Sequence, residues 1–175
     1  DYYASRGLGD VYKRQIMGAG RFLLGLLNDI LDMSKIESGK MCLNIEPFNF
    51  AELLSDISSV MVPQAKAKNQ KFEIFAAGIQ NDMLLGDKLR IEQVLLNLIS
   101  NAIKYTQNGG NIVLNITSQK QENKKYSRFC FEIKDNGMGM TQDFIETIFD
   151  PFVRAENSKT GKIQGTGLGL SLIHI

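Results

Sequence analysis

The chain has 175 residues, of which 43% are hydrophobic and 22% are charged, and its formal net charge is +1. That length suits one domain with a sizeable core, or a smaller domain with a helical appendage. The near-zero charge gives no electrostatic case for a nucleic acid or an anionic membrane as a partner. Cys42 and Cys130 lack the spacing of a metal site or a disulfide framework, so we expect a reducing, cytoplasmic compartment. No apolar run is long enough to cross a bilayer, although a longer parent protein with a membrane anchor stays open.

The two ends of the chain are related through their codons. The segment "DVYKRQ" (10–15) can be encoded by GAT GTG TAT AAG AGA CAG. The reverse complement of this DNA translates as "LSLIHI", which is the sequence of residues 170–175. Such agreement is very improbable by chance, and the two stretches resemble both orientations of one sequencing adaptor. We therefore interpret residues 1–15 and 171–175 as adaptor-derived and not as part of the native fold. The sole histidine, His174, falls in this tail, so we do not assign it a catalytic role.

The first predicted helix covers residues 21–38. Apolar residues recur there at spacings of three and four, the periodicity of one helix face, and Gly39 is placed to end the helix. Further leucines widen the apolar stripe beyond a single seam. A helix of this kind must bury two faces, which favours a helical hairpin.

Helix and strand patterns then alternate along the chain. Asp87 is a candidate N-cap, and the charged segment 119–126 is predicted to be the tip of an antiparallel hairpin. This order predicts an α+β fold with helices over one mixed, mainly antiparallel sheet. The predicted helices are 51–68, 88–105 and 142–149, and the predicted strands are 71–76, 82–86, 111–118 and 128–135.

The helix at 88–105 carries polar residues along one side. Gln93, Asn97, Asn101 and Lys104 share a face because their spacings are four, four and three. An exposed polar face would explain them, but asparagine is a poor helix former and two of them one turn apart require a reason. As an alternative, the carboxamide oxygens could bind Mg²⁺ while the lysine meets phosphate charge.

Two glycine-rich motifs follow the predicted hairpin. In "DNGMGM" (135–140), Asp135 could accept a hydrogen bond from an amino group such as that of adenine. Similar turns occur in methyltransferases and in ordinary loops. In "GTGLGL" (165–170), closely spaced glycines could direct backbone N–H groups at phosphate oxygens. The segment is not a Walker A loop, because Lys162 lacks both the upstream glycine and the following Ser or Thr.

A phenylalanine-rich segment, "FDPFVRAENS" (149–158), lies between these motifs. Its phenylalanines, Phe149 and Phe152, could be core anchors for a loop, and Arg154 could simply be solvated. Beside a triphosphate, the same arginine could stabilise the charge of a transferring phosphoryl group.

In this order, the motifs resemble the ATP-binding domain of sensor histidine kinases, within the wider GHKL ATPase superfamily. "LRIEQVLLNLISNAIKYT" resembles its N box, "DNGMGM" its G1 box, "FDPFVR" its F box and "GTGLGL" its G2 box. Upstream, "LLNDILDMSKIESGKM" is similar to the second helix of the family's dimerisation and phosphotransfer hairpin. The resemblance implies a Bergerat-type α/β sandwich at 41–170 that is incomplete at its C-terminal end, preceded by a hairpin helix at 16–40.

The resemblance also implies the site residues. Asn101 would ligate Mg²⁺, Asn97 would contact metal or phosphate, and Asp135 would bind the adenine amino group. Asn97 and Arg154 would be catalytic. The residues implied to contact ATP are Asn97, Asn101, Lys104, Tyr105, Asp135, Gly137, Gly139, Phe152, Gly165, Thr166, Gly167, Leu168 and Gly169.

The implied reaction is transfer of the ATP γ-phosphoryl group to a histidine, with relay to a response-regulator receiver domain. The intact protein would be a homodimer. The family's acceptor histidine lies on the first hairpin helix, which is missing here together with elements after the G2 box, so we expect no autophosphorylation by this chain alone. Other GHKL ATPases, an anti-sigma serine kinase and a non-catalytic dimerisation module are the alternatives.

Overall fold

The computed structural model describes residues 2–79, 82–120, 126–153 and 167–174. The α+β class is confirmed, with helices packed on one face of a mixed sheet. No helix in the described ranges is long and apolar enough to traverse a lipid bilayer. The elements are α1 (Tyr2–Glu37), β1 (Glu46–Asn49), α2 (Phe50–Ala67), β2 (Lys71–Ala77), β3 (Met83–Gly86), α3 (Lys88–Tyr105), β4 (Asn111–Lys120), β5 (Ser127–Asp135), α4 (Gln142–Thr147) and α5 (Gly169–His174).

Side-chain caps define where α2 and α3 begin. Asn49 Oδ1 accepts hydrogen bonds from the backbone N–H groups of Ala51 at 2.8 Å and Glu52 at 3.1 Å. Asp87 Oδ1 accepts from the N–H of Arg90 at 3.1 Å, which confirms the predicted cap. Each cap satisfies donors that have no partner within the helix, so both helices start at well-defined residues.

Helix α1 begins at Tyr2, well before the predicted start at residue 21. It ends at Glu37, next to the predicted stop at Gly39. The helix includes most of the residues that we interpret as adaptor-derived; that interpretation concerns codons and stays a prediction. The leucines expected to be buried on two faces are exposed in this chain, namely Leu23, Leu24, Leu27 and Leu31.

The strands form two ladders where the sequence predicts one sheet. Strand β4 lies at the centre of a three-stranded sheet, parallel to β2 and antiparallel to β5. The predicted β4–β5 hairpin is confirmed, although residues 121–125 of its tip lie outside the described residues. Strand β1, which we did not predict, pairs antiparallel with β3 in a separate ladder. It contains Pro47, a residue that argues against a strand.

A single core lies between α2, α3 and the three-stranded sheet. Phe50 at the start of α2 contacts the rings of Phe129 and Phe131 on β5, with centroid distances of 5.5 and 6.3 Å. Burial of these apolar groups turns one face of each helix toward the sheet. The residues from helices and strands that are almost fully buried include Leu53, Ile57, Met61, Leu95, Ile99, Ile112, Leu114 and Ile116.

Truncation of the core should destabilise the fold strongly. Ile57 is 0% exposed, so Ile57→Ala removes buried methyl groups and leaves a cavity. We expect the free energy of unfolding to fall by about 2–5 kcal/mol, as measured by urea denaturation. Val60 on the same helix is 44% exposed, and Val60→Ala should change stability by no more than about 0.5 kcal/mol. Equal losses for the two variants would contradict the core that we describe.

Candidate functional site

The polar face of α3 lies opposite the face that is buried in the core. Asn97, Asn101 and Lys104 are half-buried, whereas Ile99 and Ile103 are buried. Within the described part of the chain, the carboxamides of Asn97 and Asn101 have no hydrogen-bond partner. Half-buried amide groups without partners are costly unless a ligand or solvent satisfies them. This face is therefore suited to binding a polar ligand.

The last turn of α3 adds a cation and an aromatic ring. Lys104 Nζ lies 5.7 Å from the ring centroid of the neighbouring Tyr105, within the range of a cation–π interaction. Both side chains are half-buried. The turn can therefore meet a negative charge with the ammonium group and a planar group with the ring.

Asp135 is the last residue of β5, and the loop that follows it orients its carboxylate. Its Oδ1 atom accepts hydrogen bonds from the N–H of Gly137 at 2.9 Å and from Thr106 Oγ1 at 3.5 Å. Its Oδ2 atom has no donor among the described residues. The carboxylate is exposed. One oxygen thus fixes the orientation of the group, and the other is available to a ligand amino group.

The loop after Asp135 rests directly on the carboxyl end of α3. The N–H of Met138 donates to the carbonyl oxygen of Tyr105 at 3.3 Å. A Cβ atom at Gly137 would lie 2.6 Å from the same oxygen, so only glycine fits this contact. Gly139, two residues further on, has a φ of +68°, which L side chains rarely adopt, although the space around an added Cβ atom would be open. The loop and the polar face of α3 consequently belong to one site.

A backbone hydrogen bond joins Phe152 to Gly167, the two residues that flank the segment 153–166. The N–H of Phe152 donates to the carbonyl oxygen of Gly167 at 3.0 Å. Gly167 has a φ of +75°, and a Cβ atom there would lie 2.8 Å from the carbonyl carbon of Phe152. The Phe152 side chain is 62% exposed. Three predicted site residues, Arg154, Gly165 and Thr166, lie outside the described residues.

The second glycine motif lies beside the polar face of α3, at the start of α5. A Cβ atom at Gly169 would lie 3.5 Å from Cγ of Asn97, which is van der Waals contact. Leu168 is 0% exposed, so its side chain anchors the segment in the protein rather than facing a ligand. The structure therefore places Gly169 beside Asn97, and Gly167 beside Phe152.

The donor set fits Mg²⁺ only in combination with a phosphate ligand. No group of three or more His, Cys, Asp or Glu side chains among the described residues could hold a metal by itself. The unpartnered carboxamide oxygens of Asn97 and Asn101 are hard neutral ligands, and Mg²⁺ commonly takes one or two protein oxygens together with phosphates and water. A protein cage for a bare metal ion is not present among these residues.

One part of the polar face of α3 has a partner that the sequence did not predict. Arg90 contacts Asp32 of α1 through two hydrogen bonds, at 2.7 and 3.1 Å. Gln93 Nε2 donates to Asp32 Oδ2 at 3.1 Å, and its Oε1 accepts from Arg90 at 2.7 Å. Gln93 is thus used to attach α1 rather than to line the ligand site. Nothing in the helix patterns indicated that Asp32 and Arg90, 58 positions apart, would meet.

The ion pair between α1 and α3 is largely shielded from water. The side chain of Asp32 is 14% exposed and that of Arg90 is 27% exposed. The hydrogen bond from Arg90 lowers the pKa of the Asp32 carboxyl group, against the opposing effect of burial. The same hydrogen bond raises the pKa of the Arg90 guanidinium. Both groups are therefore held in their charged forms.

Comparison with known proteins identifies the family. The family model "Histidine kinase-, DNA gyrase B-, and HSP90-like ATPase" matches residues 86–175. LuxQ of Vibrio vulnificus, an autoinducer 2 sensor kinase/phosphatase, is 35% identical over 90% of this chain and 18% of its own length. The sensor histidine kinase GacS of Pseudomonas protegens is 38% identical over 85% of this chain and 16% of its own. The structure of full-length ShkA in complex with AMPPNP matches with a TM-score of 0.70 and 28% identity, over 89% of this chain and 30% of ShkA.

The chain belongs to the family of histidine kinase-, DNA gyrase B- and HSP90-like ATPases. Its motifs, in their order along the chain, are those of the ATP-binding catalytic domain of sensor histidine kinases. The chain spans less than one fifth of the length of the curated relatives named above.

Gly137→Ala should weaken ATP binding, because the added methyl group would overlap the Tyr105 carbonyl. Overpacking of this kind costs about 1–3 kcal/mol, so we expect the Kd for ATP to rise roughly 5- to 160-fold in isothermal titration calorimetry. Gly25 on α1 has open space within 4 Å of the position that an added methyl group would take, and Gly25→Ala should leave the Kd unchanged. Unaltered affinity in Gly137→Ala would show that the loop does not need this close approach.

Asp32→Asn should destabilise the protein in a pH-dependent manner. The pKa of Asp32 is lowered on folding, so its stabilising effect is fully present above the unfolded value of about 3.9 and is lost as pH falls through the lowered folded pKa. We expect urea denaturation to show the largest difference between wild type and Asp32→Asn near neutral pH, shrinking below about pH 4.

The exposed pair of Lys88 and Asp56 provides the control for this ion pair. Its atoms are also 2.7 Å apart, but the side chains are 34% and 50% exposed. Asp56→Asn should therefore have the smaller effect, because water and salt screen exposed ion pairs. A gap between wild type and Asp32→Asn that does not vary with pH would contradict the role of the Asp32 charge.

Proposed function

We propose that this chain is the ATP-binding catalytic module of a sensor histidine kinase, which transfers the γ-phosphoryl group of ATP to a histidine for relay to a response-regulator aspartate. The observation that carries the proposal is the pair of carboxamides, Asn97 and Asn101, which have no partner among the described residues and lie between two glycine motifs. One motif contacts the end of the same helix through Tyr105, and the other contacts Asn97 through Gly169. This arrangement supports a nucleotide whose base lies near the carboxyl end of α3 and whose phosphates lie near the middle of the helix.

The proposed roles are those that the resemblance to sensor histidine kinases implies, and the positions of the described side chains support them. Asp135 accepts a hydrogen bond from the adenine amino group through its available Oδ2 atom. Asn101 would ligate Mg²⁺, and Asn97 would contact the metal or a phosphate oxygen. Mg²⁺ would neutralise phosphate charge in the site. Lys104 adds a cation on the phosphate side, and the Tyr105 ring lies next to the ribose.

The remaining contacts concern the polyphosphate. The backbone N–H groups at Gly165, Gly167 and Gly169, with Thr166 and Leu168 between them, bind phosphate oxygens. Gly137 and Gly139 let the chain pass the base, and Phe152 closes the segment that leads to the phosphates. Arg154 stabilises the charge that develops on the transferring group.

The reaction is a displacement at the γ-phosphorus atom. The bond from the γ-phosphorus to the bridging oxygen breaks, a bond to an imidazole nitrogen forms, and ADP leaves with the bridging oxygen. Catalysis consists mainly of positioning and charge neutralisation, for which the module needs no covalent group of its own.

The acceptor and the partners are part of the same proposal. The one histidine of this sequence, His174, follows the second glycine motif, so the acceptor imidazole is supplied by another polypeptide segment. The exposed leucines of α1 are suited to pack in a helical hairpin of a homodimer. A receiver domain then takes the phosphoryl group from the histidine.

Substitution of two residues should separate metal-dependent from base-dependent binding. Wild type should bind ATP more tightly with Mg²⁺ than without it, and Asn101→Ala should lose most of that difference because it lacks the metal ligand. Asp135→Ala should weaken binding about tenfold or more under both conditions, since the adenine amino group loses its acceptor. Calorimetric titration with and without Mg²⁺ measures both effects.

Asn115→Ala is the matched control for these substitutions. Asn115 lies on β4 and donates to Glu132 at 3.0 Å on the opposite face of the sheet from the core helices, so ATP binding should not change. Wild-type protein with no Mg²⁺-dependent affinity for ATP would overturn the proposal and favour a non-catalytic dimerisation module.

A further inference from the structure

Two side chains of the turn between α2 and β2 hold the carboxyl end of α3. Lys68 Nζ donates to the carbonyl oxygens of Ile103 at 2.7 Å and Lys104 at 3.0 Å. Gln70 Nε2 donates to the carbonyl oxygens of Ile103 at 3.0 Å and Thr106 at 2.8 Å. We refer to Lys68 and Gln70 as the carbonyl clamp. They satisfy acceptors that lack a donor within the last turn of the helix.

The clamp is both shielded and charged. Gln70 is 6% exposed and Lys68 is half-buried. The ion pairs found among the described residues do not involve Lys68. Its charge is therefore directed at the end of α3, where the helix dipole is negative. Hydrogen bonds from a charged donor are roughly twice as strong as neutral ones.

The backbone reinforces the same contact. The N–H of Gly109 donates to the carbonyl oxygen of Lys68 at 3.1 Å, and the N–H of Lys71 donates to that of Gly110 at 2.9 Å. The turn that follows α2 is thus joined to the turn that follows α3 through both side chains and backbone. Movement of one turn requires movement of the other.

The clamped segment supports the loop that contains Asp135. Between the clamped carbonyls of Lys104 and Thr106 lies that of Tyr105, which accepts from the N–H of Met138 at 3.3 Å. Thr106 Oγ1 lies 3.5 Å from Asp135 Oδ1. The clamp therefore acts on the backbone on which this loop rests, without lining the ligand site itself.

We propose that Lys68 and Gln70 are positioning residues for adenine recognition: they fix the end of α3, and this end sets the position of Asp135 and Gly137. The inference rests on the proposed function, because it assumes that Asp135 binds the base. It predicts that the clamp affects the base end of the site and leaves metal binding at Asn101 unchanged.

Calorimetric titration of the full chain with ATP and with adenosine tests this inference. In Lys68→Met, the Kd for both compounds should rise by a similar factor of roughly 2 to 30, with unchanged stoichiometry. The ratio of ATP affinities with and without Mg²⁺ should remain that of wild type. Gln70→Leu should behave in the same way, and Lys68→Arg should restore most of the affinity because it keeps a charged donor.

Lys66→Met is the matched control, since Lys66 lies exposed in the last turn of α2. It should bind both compounds as wild type does. If Lys68→Met and Gln70→Leu both show lower stoichiometry with an unchanged Kd, the variants contain less folded protein but bind normally. The clamp would then have a purely structural role, and the inference would be overturned. Equal Kd and stoichiometry in wild type and both variants would overturn it too. Failure of wild type to bind ATP would instead overturn the proposed function, and the inference with it.

Discussion

Helix α3 has one apolar and one polar face, and the rest of the site depends on how this helix packs. Leu95 and Ile99 are buried against the sheet, and each such side chain contributes about 1.5–3 kcal/mol when it leaves water. Rotation of the helix would expose these groups and bury the carboxamides of Asn97 and Asn101 without partners, which is costly. The hydrophobic face therefore determines the direction in which the asparagines point.

Both ends of α3 are joined to other segments, and this makes the helix the common support of the molecule. At its amino end, Arg90 binds Asp32 and attaches α1. At its carboxyl end, Lys68 and Gln70 hold the last carbonyl groups, and the loop of Asp135 rests on the same turn. Asn101, which we propose as the metal ligand, thus lies on the same helix that supports the loop of Asp135, which we propose to bind the base.

Much of the fold could be predicted because its signals are local. The limits of α3 and the β4–β5 hairpin follow from periodicity and capping within a few residues of sequence. Strand β1 could not be predicted, because it contains Pro47, which argues against a strand, and because its pairing with β3 joins segments that are distant in the sequence. The division into two ladders and the parallel pairing of β2 with β4 also depend on contacts between distant segments.

The same distinction, between local signals and contacts of distant segments, applies to the residues of the candidate site. The sequence by itself determined which residues could bind a nucleotide, since residue types and spacings place Asn97 and Asn101 on one face and order the glycine motifs. Tertiary structure alone decided that Gln93 binds Asp32 of α1 and that Gln70 holds the end of α3, across separations of 61 and 36 residues. The physical reason is that periodicity encodes only which face of a helix avoids water, whereas the partner of a polar side chain is chosen when distant segments pack.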